Sequence, residues 1–158
     1  MTISLTILAV LALIAVTIAC SIKHIPEGQV YTLRRFGKPA GTLSAGTHLV
    51  VPLIESIAHK ISIAGYTLAV DERLADADAA AAMQGRVWWQ VLDPERVDAV
   101  IDRADDMIRR QLRDAVQRAD VAGVPDPRSR NQRIKQTLNG SLRARGVLVT
   151  RVELNLAA

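Results

Sequence analysis

The chain has 158 residues, a net charge of +4, 49% hydrophobic residues and only 3% aromatic ones, a composition that excludes wholesale disorder. Its one cysteine, Cys20, excludes an intrachain disulfide framework, and its histidines fall outside HExxH or any other common metal-ligand spacing. A basic balance fits either an anionic membrane surface or a nucleic acid, and the first stretch of the chain favours the membrane.

Residues 1–22, MTISLTILAVLALIAVTIACSI, carry no charged side chain, Pro or Gly. As a helix they extend about 33 Å at ~1.5 Å per residue, close to the ~30 Å hydrocarbon core of a bilayer. Apolar residues run all round, so the helix has no polar face to offer water. The expectation is a transmembrane anchor over residues 1–22 and one domain over residues 23–158. A cleaved signal peptide would begin with a basic region, which is missing. Thr17-Ile18-Ala19-Cys20 comes near a lipoprotein box but has Thr where Leu is wanted, so Cys20 reads as a thiol packed in lipid. Lys23, Arg34, Arg35 and Lys38 follow the span and none precede it. The positive-inside rule then predicts a single-pass protein of the cell (inner) membrane with its domain in the cytoplasm.

Beyond the anchor, Pro26 and Gly28 punctuate the exit and residues 29–36 are strand-like, with turns at Gly37-Lys38-Pro39 and Ala45-Gly46 on either side of a short loop. Ile57, His59, Ile61 and Ile63 alternate on one strand face, Tyr66, Leu68 and Val70 repeat the pattern, and Val87, Trp89 and Val91 follow it again. Asp93 is a natural N-cap with Pro94 at the first helical position. A second helix is predicted over residues 104–119, since Ile108, Leu112, Ala115, Val116 and Ala119 share a helical stripe. A third follows Asp126-Pro127, with Ile134, Leu138 and Leu142 aligned and Gly146 as its terminator. The last strand, over residues 147–156, is predicted to put Leu148, Val152, Leu154 and Leu156 on one face.

Three short motifs occur in order: Ile25-Pro26-Glu27-Gly28, then Arg35-Phe36-Gly37-Lys38, then Leu43-Ser44-Ala45-Gly46-Thr47-His48 running into Leu49-Val50-Val51-Pro52. Together with Leu92-Asp93-Pro94 and the closing Arg145-Gly146-Val147 to Arg151-Val152-Glu153-Leu154, they resemble the SPFH or Band 7 domain of stomatins, prohibitins and flotillins. The resemblance implies an α+β fold, a mostly antiparallel twisted sheet with helices packed on one side. It also implies a non-enzymatic, cofactor-free scaffold that self-associates laterally, with its own kind or a related SPFH-type protein, and organises membrane patches or restrains membrane proteases. Two departures stand out. Residues 76–84, DADAAAAMQ, put weak strand-forming alanines where the family has a longer polar hairpin, and the sequence reaches Ala158 without the family's charged coiled coil. A monomeric regulatory subunit binding one integral membrane partner is therefore the alternative.

No nucleophile and base pair, Walker A or GxGxxG motif is present. His59 reads as a hydrogen-bonded core or interface histidine rather than a ligand, and His48 as part of a turn. Three features invite a functional role, each beside a plainer one. Leu49, Val50, Val51, Leu53 and Ile54 form either a second membrane contact or a buried strand. Trp88 points opposite to Trp89, toward a partner or lipid headgroups unless loops cover both faces. Arg109, Arg110 and Arg113, with Asp105 and Asp106, form either a contact to a neighbouring copy or a solvated, ion-paired face. The membrane anchor argues against nucleic acid as their partner.

Overall fold

The computed structural model describes residues 2–76, 79–118 and 124–157, with side chains over 6–72, 82–118 and 124–156. The chain is mixed α+β with every ladder antiparallel, in two compact units, Met1–Ser62 and Ile63–Ala158. Instead of the one sheet expected there are three among the described residues.

In the first unit, helix α1 (Thr2–Ser21) leads directly into β1 (Ile22–Ile25). Among the described residues no helix is long and apolar enough to cross a membrane. The part of α1 described side chain by side chain begins at Thr6, and to Ser21 it measures about 24 Å at ~1.5 Å per residue.

β2 (Gln29–Arg35) lies between β3 (Lys38–Leu43) and β5 (Glu55–Ser62), while β1 pairs with β4 (Gly46–Leu49). The expected loop after Gly37 is thus the strand β3. Arg35 pairs with Lys38, and the intervening Phe36 and Gly37 have φ of 51° and 77°. Positive φ at both central residues makes the tight hairpin turn whose twist matches its strands. Pro39 is tolerated because β3 is an edge strand with a register shift beside it, where a missing N–H costs no ladder bond. Ile63 falls beyond β5 and is exposed, so it does not join Ile61 in the core.

The second unit sets helices on the sheet β6 (Tyr66–Asp76), β7 (Ala79–Val91) and β8 (Val147–Ala157). The Ala-rich start of β7 is strand despite its composition, because Ala79–Ala82 pair with Asp76–Arg73. The turn of that hairpin, residues 77–78, lies outside the described residues. Met83, Val87, Trp89 and Val91 are buried, while Gln84 and Arg86 are exposed. Tyr66 stands opposite Trp89 and stacks on it, ring centroids 4.3 Å apart.

Asp93 caps α2 (Pro94–Asp98) by accepting from the Glu95 and Arg96 N–H groups, and Asp126 caps α4 (Pro127–Leu142) by accepting from Ser129 N–H. Between them α3 (Ala104–Gln117) buries Ile108, Leu112, Ala115 and Val116; Ala119, expected on that stripe, lies outside the described residues. Ile134, Leu138 and Leu142 of α4 are fully buried, each side chain contributing roughly 1.5–3 kcal/mol by leaving water. α4 packs along β8, and α3 packs on α4 and β6.

β8 departs from the expected pattern. Trp88 pairs with Arg151 but Trp89 with Val149, so Thr150 is an extra residue opposite the Trp88/Trp89 step. A bulge of this kind inverts which side chains face the core beyond it. Val147 and Val149 are buried before it, Val152 and Leu154 after it, and Leu148 is only half-buried. Asn139 of α4 fixes the register: its amide accepts from Val149 N–H at 2.8 Å and donates to Val149 C=O at 2.9 Å. A side chain thereby stands in for a neighbouring strand on the β8 edge.

Candidate functional site

The described part of α1 exposes apolar side chains all round, among them Ile7, Leu8, Leu11, Leu13, Ile14 and Ile18. Its two hydroxyls near the C-terminal end turn back onto the helix, Thr17 Oγ1 donating to Leu13 C=O at 2.8 Å and Ser21 Oγ to Thr17 C=O at 2.7 Å. Both hydroxyls are thus satisfied within the helix, an arrangement that an apolar medium favours.

At the end of this helix the chain builds an apolar surface. Val50 N–H donates to Ser21 C=O at 2.8 Å, and Ile22 pairs with Leu49. A tight loop follows, in which the N–H groups of Ile54 and Glu55 both donate to Val51 C=O. Glu55 locks it: one carboxylate oxygen accepts from Val51 N–H at 3.3 Å and the other from Arg35 Nη2 at 2.5 Å. These bonds hold the Glu55 carboxyl below its ordinary value, the Arg35 guanidinium being the larger cause and the Val51 amide the next. Phe36 N–H donates to Ile54 C=O at 3.1 Å, bringing the β2–β3 turn alongside. The result is a held loop with its greasy side chains outward: Leu53 is 90% exposed, Phe36 78% and Leu49 67%, with Val51, Ile54 and Ile22 also open.

The five residues expected here as membrane contact or buried strand thus divide. Leu49, Val51, Leu53 and Ile54 are exposed, while Val50 is core at 3%; only Leu49 belongs to a strand, β4. Ile22 and Phe36 complete the surface and were not expected in it. Phe36 was legible in principle, because an aromatic between Arg35 and Gly37 at a turn has no strand face to hide on.

The expected partner-contact residues sit elsewhere, in the second unit. Arg109 and Arg113 both reach Glu72 of β6, at 3.6 Å and 3.5 Å, and Arg109 also donates to Ala69 C=O at 2.8 Å. Their partner is a carboxylate of the same chain. Asp105 and Asp106 are exposed in the first turn of α3, which has no side-chain cap and where negative charge complements the helix dipole. Arg110 is exposed on a separate pocket. Trp88 is half-buried, its face covered by the Arg151 guanidinium at 5.2 Å.

Among the described residues no group of three or more His, Cys, Asp or Glu side chains is placed to hold a metal ion. His48 Nε2 lies 2.8 Å from Ser44 C=O and His24 Nδ1 lies 3.3 Å from Thr47 Oγ1, both within the β1–β4 ribbon and its turn.

An antiparallel α+β chain whose leading apolar helix ends on an exposed apolar loop is the class these observations define. The SPFH domain / Band 7 family model matches residues 23–156, and the chain belongs to that family.

Proposed function

We propose that this protein is a membrane-anchored scaffold: α1 spans the bilayer once, the surface of Leu49, Val51, Leu53, Ile54, Ile22 and Phe36 rests in the adjoining headgroup layer, and copies associate laterally around client proteins such as a membrane protease. One observation carries this: the exposed apolar side chains of α1 continue through Ile22 and Leu49 into a loop that hydrogen bonds hold in its exposed form. Monomeric soluble proteins rarely show contiguous apolar patches of that kind without a partner. The cations Lys23, Arg34, Arg35 and Lys38 just after the helix favour a cytoplasmic domain at the inner membrane. Confinement to two dimensions raises effective concentration, so weak contacts between domains suffice for lateral assembly. The function assigns no catalysis and needs no cofactor.

The regulatory-subunit alternative draws support from Glu72, which satisfies Arg109 and Arg113 within the chain and leaves them less to offer a neighbour. Crosslinking in native membranes separates the two. Ladders of this chain alone support the scaffold, and a single crosslinked species with one integral membrane protein supports the subunit. Release of the protein from membranes by carbonate at high pH refutes both.

A further inference from the structure

Residues 103, 107, 110 and 111 recur at helical spacing, and with Val100 and Arg145 they line one pocket of about 270 Å³ in the second unit, just below the usual range for drug-sized ligands and of a size for a small one. Arg103, Met107, Arg110 and Gln111 present one stripe from the short 3-10 turn before α3 into α3 itself. Arg145 joins them from the turn after α4. Among the described residues no acidic side chain lines the pocket. Among the described residues none of these three arginines ion-pairs with a carboxylate; the partner that Arg145 has is the Met107 thioether, Nη1 to Sδ 3.2 Å, a weak acceptor. The contrast is with Arg109 and Arg113 on the same helix, which share Glu72. Three like charges held around one concavity repel one another, and an anion placed among them would relieve this.

We propose that this pocket binds a phosphate monoester, with Arg103, Arg110 and Arg145 taking the phosphate oxygens, the Gln111 amide adding a donor, and Val100 and Met107 covering the adjoining carbon atoms. A monoester carries about −1.5 to −2 charge near neutrality, which matches three guanidiniums better than the single charge of a carboxylate. The planar guanidinium fork grips phosphate oxygens in pairs. The monoester belongs either to a free phosphorylated metabolite or to a lipid headgroup of the phosphatidic acid type.

The test uses the full chain in nonionic detergent, titrated calorimetrically with glycerol 3-phosphate. Saturable binding is expected, weakened about tenfold or more by Arg110→Gln or Arg145→Gln and unaltered by Arg143→Gln, an exposed arginine outside the pocket. Circular dichroism shows that each variant is folded. In nanodiscs, phosphatidic acid that suppresses glycerol 3-phosphate binding assigns the site to a lipid headgroup, and undiminished binding assigns it to a free phosphate. Absence of saturable binding, equal weakening by Arg143→Gln, or equal binding of acetate at matched ionic strength overturns the proposal and leaves only diffuse positive charge.

Discussion

Leu53→Asp isolates the apolar loop from the helix that precedes it. Leu53 is 90% exposed, so the folded unit loses almost no packing and its stability should change by under about 0.5 kcal/mol. Membrane contact is another matter. Burying a leucine side chain fully is worth roughly 1.5–3 kcal/mol; scaled by its exposure, removing Leu53 from a headgroup layer costs about 2 kcal/mol before the cost of inserting a carboxylate. That corresponds to roughly a 30-fold loss of partitioning. The assay is sedimentation with vesicles of a chain beginning at Ser21, which retains the carbonyl that Val50 N–H needs. Thermal unfolding is followed in parallel. Val50→Asp is the counterpart: Val50 is 3% exposed, so it should unfold the unit and lose binding only as a consequence. If Leu53→Asp binds vesicles as well as the parent while remaining folded, the loop does not touch the bilayer.

Three further outcomes follow from the geometry. A methyl group on Gly146 would lie 2.4 Å from Asp93 C=O at φ of 79°, so Gly146→Ala should destabilise by about 2 kcal/mol or more and lower Tm by roughly 10 °C in a calorimetric scan. Because Glu55 titrates below its ordinary 4.5 in the folded loop, its contribution is fully present above that value and is lost as pH falls through the depressed one. The Val51 amide resonance should therefore shift only in that acidic window, and Glu55→Gln should abolish the titration. Glu72→Gln removes the shared partner of two half-exposed arginines and should cost about 1 kcal/mol, a difference from the parent that shrinks in ~1 M salt, where the screening length is near 3 Å; an undiminished difference would show that packing, not charge, holds α3 to β6.

Much of the framework was legible because it is set by neighbours in sequence. Alternation buried Val87, Trp89 and Val91 together, helical spacing buried Ile108, Leu112, Ile134 and Leu138, and Asp93-Pro94 and Asp126-Pro127 began helices because a cap bonds N–H groups only two or three residues on. The same holds for the uncharged run at the start of the chain, a helix over Thr2–Ser21 whose described side chains from Thr6 to Cys20 are exposed and need no distant partner. What lay beyond reach depended on residues far apart in the chain. The bulge at Thr150 rests on Trp88 and on the Asn139 clamp, and it moved the buried face of β8 from Val149 to Val152 where a single period would have kept Leu148. Glu72 claimed Arg109 and Arg113 from another element, β6, well before them in the chain, a pairing that charge pattern along one helix does not display. Leu49–Ile54 read equally well as a strand or a surface, because a run of apolar residues carries no record of what covers it. Tertiary bonds separated them: Val50 N–H reaches Ser21 C=O, and the Glu55 carboxylate, placed by β2–β5 pairing on both Arg35 and the Val51 amide, holds the loop in which Val50 is core and Leu53 faces out.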